Sequence, residues 1–261
     1  MFKSARWASW LLAIVLLGLW ETLATARGWS LLVLPPPSRI GQSLWQGLSS
    51  GFLWPHVGVT FVEMMGGLVL GCVLGLAGGV VLGEFARWRA VLMPYVVVSQ
   101  VVPKLALVPL LIMWLGFGWW PTVVVTALIC FFPLLENTVT ALQQVPAQQL
   151  ELFRLLRASR WQTLWRLKLP AGLPTILTGF RVAVVLSLVG AVVGEFMGAG
   201  KGLGALIIAA QGSMDTPLMF AVLALITFMG WGVYYTAVQG ERWLLRRLAL
   251  PVHAGLADMS A

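Results

Sequence analysis

TFVEMMGGLVLGCVLGLAGGVVLG, which runs from Thr60 to Gly83, is an apolar stretch whose single charged residue is Glu63. About 20 such residues are enough for a helix to cross the hydrocarbon part of a bilayer. Glycines recur at every fourth residue: Gly67, Gly71, Gly75, Gly79 and Gly83. Small residues at this spacing share one helix face and let another helix approach closely, which supplies packing energy inside lipid. The stretch therefore predicts a membrane-spanning helix with a close partner helix. We expect that partner within the same chain, the alternative being a dimer seam.

The whole chain has the composition of a membrane protein. Its 261 residues are 59% hydrophobic and 10% charged, and the mean hydropathy is +0.90. We predict an all-α membrane protein, a polytopic bundle of about six transmembrane helices in one domain over residues 1–261. The predicted spans are residues 7–25, 60–83, 91–115, 121–142, 173–197 and 217–238, and the third is interrupted at Pro94 and at Val102-Pro103-Lys104.

The predicted domain has three parts. Residues 1–58 form an N-terminal anchor helix and an extracytoplasmic surface segment, in which residues 38–57 have the pattern of an amphipathic helix. The anchor could instead be a cleaved signal peptide, because Ala24-Thr25-Ala26 has the A-x-A form of a cleavage site. Residues 59–240 form the transmembrane core, with a polar loop at residues 143–172, and residues 241–261 form a cytoplasmic tail.

The distribution of positive charge orients these spans. With both termini in the cytoplasm, twelve Lys and Arg residues fall inside and three fall outside, namely Arg27, Arg39 and Lys201. An excess of Lys and Arg in short cytoplasmic loops is the usual pattern of inner-membrane proteins. The same orientation places the loop of residues 143–172 in the cytoplasm.

ELFRLLRASRWQTLWRLKLP, from Glu151 to Pro170, carries five of the seventeen Lys and Arg residues. Pro146 and the helix formers after it predict a first helix at residues 146–157. Ser159, with Gln162 three residues later, predicts a capping box at the start of a second helix, which Pro170 should end. One face of that helix carries Trp161, Leu164 and Trp165. By composition alone, the loop also fits a basic amphipathic hairpin on anionic lipid headgroups.

Seven residues of this loop stand at the positions of a known motif: Glu151, Leu152, Phe153, Arg157, Leu167, Leu169 and Pro170. Their spacing resembles the EAA loop of permease subunits of bacterial ATP-binding-cassette importers, which reads Glu-Ala-Ala, three residues, Gly, nine residues, Ile, one residue, Leu-Pro. Leu152 and Phe153 replace the two alanines, Arg157 replaces the glycine, and Ala158 and Ser159 follow it. The resemblance implies that the loop forms a coupling helix that docks in a groove on a cytoplasmic ATPase.

Other segments resemble the nitrate, sulfonate and taurine branch of these permeases: residues 101–110, 114–118, 131–133, 137–138, 193–196 and 202–204. The resemblance implies a type I importer permease fold and pairing with a second copy of the chain. It also implies an extracytoplasmic solute-binding protein that delivers a small organic solute or anion. Because the same branch includes permeases for pyrimidine precursors of thiamine and for riboflavin, the solute stays open. ATP and magnesium would be bound by the ATPase subunits, so the chain itself needs no cofactor.

An enzymatic function is not predicted. Gly198-Ala199-Gly200-Lys201-Gly202 fails the P-loop pattern, because Glu195 stands where a Gly is needed and Gly202 where a Ser or Thr should bind magnesium. We expect it to be a flexible extracytoplasmic loop. His56 and His253 are too far apart in sequence to indicate a metal site, and no nucleic-acid partner is expected. A secondary transporter without an ATPase is a more distant alternative, since such proteins more usually carry midplane carboxylates or inverted repeats.

Three charged residues within or near spans are candidates for a translocation path: Lys104, Glu63 and Glu195. Charged groups inside a membrane usually face a partner or a watery path. For Lys104, lining the path and snorkelling to the membrane surface are equally good explanations. Glu63 and Glu195 are predicted near the outer boundary, as solvated helix ends. Cys72 and Cys130 are predicted to be small buried residues without a disulfide.

Overall fold

The chain is helical through most of its length. The computed structural model describes residues 2–26, 32–198 and 200–248, and these ranges contain no strand. Its α-helices are α1 (Phe2–Ala26), α2 (Pro37–Ser49), α3 (Trp54–Glu84), α4 (Ala86–Val101), α5 (Val108–Leu115), α6 (Trp119–Gln143), α7 (Ala147–Leu155), α8 (Arg160–Thr163), α9 (Leu169–Gly198), α10 (Leu203–Gly212) and α11 (Thr216–Arg247). A 3-10 turn at Lys104–Leu107 precedes α5, and a π-turn at Leu164–Lys168 joins α8 to α9.

The long helices confirm an all-α polytopic membrane fold. Among the described residues, α3, α6, α11 and the continuous helix Arg160–Gly198 are long and apolar enough to cross a membrane. Ala86–Val101 and Lys104–Leu115 together make a fifth span, bent by 84° at the break. The apolar part of α1, Leu11–Ala26, is shorter and lies where the first span was predicted. The predicted number of about six spans is therefore approximate.

Helix α6 lies between α3 and α9 and touches both at backbone distance. A Cβ atom added to Gly71 of α3 would lie 2.7 Å from the carbonyl oxygen of Ala127 on α6. One added to Gly190 of α9 would lie 2.9 Å from the Cα atom of Thr126. Gly67, Gly75 and Gly79 of α3 also face backbone atoms of α6, and Gly83 faces the side chain of Leu142 on α6. The prediction that this stripe packs within the chain is confirmed.

Two predicted helix boundaries are wrong for reasons of backbone geometry. Pro94 lies inside α4 without ending it. The second predicted interruption, at Val102-Pro103-Lys104, is confirmed: α4 ends there, and the ψ of 122° at Val102 is the extended conformation that a following proline favours. The surface helix predicted at residues 38–57 ends at Ser49. Gly51, with φ of 81°, then turns the chain into α3.

The segment between α9 and α11 contains a helix that was not predicted, directly after the predicted loop of residues 198–202. Residues 203–212 form α10, which packs against α9 and α11. Leu203, Leu206 and Ile207 join the apolar cluster of Leu53 and Val222, so burial of these side chains holds the segment in place. Ala199 lies outside the described residues. So do residues 249–261 of the predicted tail, which include His253, whereas the start of that tail belongs to α11.

Candidate functional site

The first helix of the basic loop is α7, which begins one residue after Pro146 and ends at Leu155. The Pro146 carbonyl accepts hydrogen bonds from the backbone N–H groups of Gln149 and Leu150, which serves the first turn of the helix. The predicted helix of residues 146–157 is therefore confirmed in its position and is shorter at its C-terminal end.

Helix α7 ends in a Schellman turn, and this turn explains the loop glycine of the motif. The N–H of Ala158 donates to the Phe153 carbonyl at 3.0 Å, and the N–H of Arg157 donates to the Arg154 carbonyl at 2.9 Å. Arg157 occupies the left-handed position of the turn, with φ of 52°. Glycine adopts this conformation freely, whereas another L-residue there costs about 1–2 kcal/mol. Arg157 therefore adopts the same turn as the glycine of the motif, but with backbone strain that glycine would not have.

The second part of the loop begins with the predicted capping box. The backbone N–H of Ser159 donates to Gln162 Oε1 at 2.8 Å, and the backbone N–H of Gln162 donates to Ser159 Oγ at 3.2 Å. Both bonds satisfy backbone donors that a helix start otherwise leaves free. The box therefore fixes where α8 starts, and this prediction is confirmed.

The prediction that Pro170 ends this helix is wrong. The helix continues through Pro170 into α9, so Arg160–Gly198 is one unbroken helix of 39 residues. The residue before the proline, Leu169, donates its N–H to the Leu164 carbonyl across the π-turn. A π-turn is wider than an α-turn and gives the proline ring room in the preceding turn. The loop is thereby joined directly to a core helix.

The motif residues lie in two parts of this loop, on α7 and at the start of α9. Glu151 and Leu152 are exposed on α7, and Phe153 and Ala158 are half-buried around the Schellman turn. Leu167 and Leu169 are half-buried and Pro170 is exposed where the loop enters α9. The predicted apolar face of the second helix is divided, because Leu164 is buried whereas Trp161 and Trp165 remain exposed.

An ion pair that sequence reasoning missed fixes the loop to the bundle. Lys168 Nζ in the π-turn lies 2.6 Å from Glu84 Oε1 at the end of α3. Both side chains are mostly buried, at 18% and 14% exposure, so the pair is screened less than one on an open surface. In the sequence, only the opposite charges of Lys168 and Glu84 hinted at this contact. Nothing in the positions of the two residues, 84 apart in the chain, indicated that they meet.

A basic groove of about 900 Å³ opens between this ion pair and α7. It is lined by Glu84, Phe85, Ala86, Arg87, Trp88, Leu150, Arg154, Ala158, Arg160, Thr163 and Lys168. Arg87, Arg154 and Arg160 are exposed and form no ion pair with the residues that the structure describes. The groove therefore presents unpaired positive charge to whatever approaches the loop.

Glu63 and Glu195 are not solvated helix ends, as the sequence had suggested. They are 2% and 1% exposed, and their carboxyl groups lie close enough to interact with each other. Glu195 Oε2 also accepts the backbone N–H of Gly204, at the start of α10. Thr60 Oγ1 accepts the N–H of the neighbouring Leu203 at 2.8 Å. The prediction failed because α10, a helix that was not predicted, covers the ends of α3 and α9.

Lys104 lies at the bend between α4 and α5, half-buried in the 3-10 turn. Its Nζ lies 3.5 Å from the Gln100 carbonyl oxygen, and it forms no ion pair with a described residue. The structure does not bring it together with the two glutamates in an ion pair. That these three residues line a translocation path stays a prediction.

A second buried ion pair, also missed from the sequence, joins α9 to α11. Arg181 Nε lies 3.0 Å from Glu241 Oε2, and Glu241 is buried. Arg181 Nη2 also donates to Thr178 Oγ1 at 3.3 Å. Arg181 was seen as a charge within or near a span, but Glu241 was counted in the tail, so their contact was not predicted. Cys72 and Cys130 are both free, and Cys130 Sγ lies 3.2 Å from the Ala183 carbonyl oxygen.

Long apolar helices packed at backbone distance, with one polar helical loop joined to a core helix, define a polytopic membrane protein. Residues 52–249 match the family described as binding-protein-dependent transport system inner membrane component. The chain belongs to this family and is a permease subunit of an ATP-binding-cassette importer.

Curated relatives cover most of the chain and differ in the solute that they are named for. The chain is 38% identical to the riboflavin transport system permease protein of Chloroflexus aurantiacus, over 89% of this chain and 87% of that one. It is 34% identical to the formylaminopyrimidine transport permease protein of Halalkalibacterium halodurans, over 83% and 86%. It is 30% identical to the taurine transport system permease protein of Escherichia coli, over 90% and 86%. The resemblance to the sulfonate and taurine branch is confirmed.

The fold is also that of a solved importer. A chain of the MetNI methionine transporter, in an inward-facing conformation, aligns with a TM-score of 0.65 at 19% identity, over 74% of this chain and 97% of that one. The predicted type I importer permease fold is confirmed by this likeness.

Proposed function

We propose that two copies of this chain form the translocation path of an importer whose cytoplasmic ATPase subunits move it through the loop of residues 143–172. The observation that carries this proposal is the unbroken helix Arg160–Gly198, which begins in the loop and runs into the core. A displacement of the loop by a docked partner would therefore move α9 as a rigid body, as expected for a lever between two rigid parts.

Two further contacts support the lever. The ion pair of Lys168 with Glu84 ties the loop to α3 as well as to α9. Helix α6 packs at backbone distance against both of these helices. Force applied to the loop would thus reach all three core helices together.

The orientation follows from charge. Both termini and the loop lie in the cytoplasm, where the excess of Lys and Arg belongs. The loop then faces the ATP-binding subunits, which supply ATP and magnesium. An extracytoplasmic binding protein approaches the opposite face, near α10. This chain performs no catalysis of its own.

The solute is a small organic molecule or anion. Relatives named for taurine, formylaminopyrimidine and riboflavin transport support this class without selecting a member. We expect the binding protein to set most of the selectivity. Calorimetric titration of that protein with a taurine, pyrimidine and riboflavin series would identify the solute.

Deletion of residues 157–162 tests the coupling role of the loop. The deletion removes the Schellman arginine and the capping box, so we expect it to abolish copurification of the ATPase while the bundle still inserts. Glu151→Lys, which reverses an exposed charge on α7, should have the same direction of effect. The matched control is Lys201→Glu on the predicted extracytoplasmic side. Normal association of ATPase with the deletion variant would overturn the proposal.

A further inference from the structure

The loop displays an arginine where its own backbone favours glycine. Arg157 is one of two non-glycine residues with positive φ in the described chain, the other being Met214. Its side chain is exposed and forms no ion pair with a described residue. Strained residues of this kind persist where the surroundings fix them, and they cluster at functional sites.

The surface around Arg157 is apolar at its tip and positive at its base. Leu155 and Leu156, which precede it, are 82% and 68% exposed. Arg154 and Arg160, on either side of the turn, face the basic groove described above. Glu151 is the single acidic residue between positions 147 and 170. The loop therefore offers two exposed leucines beside three arginines, and a complementary partner has an apolar notch bordered by acidic side chains.

We propose that Arg157 is a specificity-determining residue of this loop, and that it pairs with an acidic side chain on the docking surface of the ATPase subunit. This inference rests on the proposed function and adds the chemistry of the partner surface. The Schellman turn fixes the backbone of Arg157, so its side chain leaves the loop from a fixed point and in a fixed direction. Such placement is useful against a fixed counter-charge of a protein. A lipid headgroup would be served equally well by the other loop cations, which need no strained backbone.

Substitution by glycine separates the turn from the side chain. Arg157→Gly relieves the backbone strain, so we expect slower hydrogen exchange at the Ala158 amide, which closes the turn. The same variant loses the proposed ion pair, so its affinity for the ATPase should fall about three- to tenfold. If Arg157 had only a structural role, Arg157→Gly would slow hydrogen exchange at the Ala158 amide and would also keep or raise the affinity for the ATPase.

The experiment measures binding of the purified ATPase subunit to the permease in nanodiscs of phosphatidylcholine. We expect Arg157→Lys to bind within about threefold of the unaltered permease and Arg157→Glu to bind at least about tenfold more weakly. Arg246→Glu is the matched control, because Arg246 is exposed at the same predicted membrane face and lies outside the loop; its binding should be unchanged. Replacing acidic residues of the ATPase docking surface with lysine, one at a time, should restore binding of Arg157→Glu in at least one case.

Each adverse outcome has a separate meaning. If the unaltered permease binds no ATPase, the proposed function itself fails. If it binds and Arg157→Gly binds as tightly, only the role of Arg157 is overturned. If the penalty of Arg157→Glu is absent in phosphatidylcholine and present only with phosphatidylglycerol, the partner is an anionic headgroup and the inference is wrong.

Discussion

Helices α3 and α9 are joined by charged side chains at both ends, and the two junctions are chemically different. At the predicted outer end, Glu63 meets Glu195; at the predicted inner end, Glu84 meets Lys168. The acid–base pair needs nothing else, because each charge neutralises the other. The acid–acid pair needs a proton between the two carboxyl groups and backbone donors around them.

The two junctions also differ in the elements that hold them together. The inner pair brings together two spans and the loop, and its charges alone explain the contact. The outer pair depends on α10, whose first N–H groups reach Glu195 and Thr60. A carboxyl pair can thus hold helices together where a third element supplies the hydrogen bonds.

Removal of the outer acceptor should have the largest effect on stability. Glu195→Ala leaves the Gly204 N–H and the Glu63 carboxyl buried without their partner, which costs about 2–6 kcal/mol at about 1–3 kcal/mol for each group. Denaturation of the purified protein in detergent would measure the loss. A change below about 0.5 kcal/mol would show that the outer junction does not hold α10.

Reversal of one charge at the inner end should cost less stability but disturb coupling more. Lys168→Glu places two carboxylates together, and we expect a loss of about 1–2 kcal/mol together with weaker ATPase stimulation. The exchange of both residues, Lys168→Glu with Glu84→Lys, should recover most of both effects. If the double variant is as impaired as the single one, the ion pair does not carry the connection.

Glutamine substitution should give the smallest effects and distinguish the junctions most sharply. Glu63→Gln supplies an N–H donor where the shared proton was, so we expect a change within about 0.5 kcal/mol. Glu84→Gln removes the charge opposite Lys168, which costs about 0.5–1 kcal/mol. Added salt should reduce the stability loss caused by Glu84→Gln, because salt screens the ion pair, and should leave the effect of Glu63→Gln unchanged. Equal costs in low and high salt would remove the distinction between the two junctions.

The parts of the fold that the sequence predicted depend on local patterns. Apolar length predicted the spans, the four-residue glycine period predicted close packing of α3, and Ser159 with Gln162 predicted the start of α8. Each of these patterns acts over one helix or one turn, so neighbouring residues contain the whole signal.

The parts that were wrong depend on contacts between distant segments. The cover over Glu63 comes from residues 203–212, more than a hundred positions further along the chain, for which no helix was predicted. Pro170 was expected to end a helix because proline usually does so. The π-turn that lets the helix continue through it has no signal in the local sequence. The pairing of Arg181 with Glu241 required knowing that α11 extends past the predicted end of its span. For Arg157, the motif located the residue, and only the backbone revealed why glycine is usual there.

The glycine stripe of α3 limits how the protein can change shape. A Cβ atom added to Gly71, Gly75 or Gly79 would lie 2.7, 2.5 or 2.9 Å from a main-chain carbonyl oxygen of α6, so the two helices are in close approach at these positions. Sliding or rotation there would cause collisions that no rotamer change can relieve. In the proposed importer, α3 and α6 are therefore expected to move together as one rigid unit.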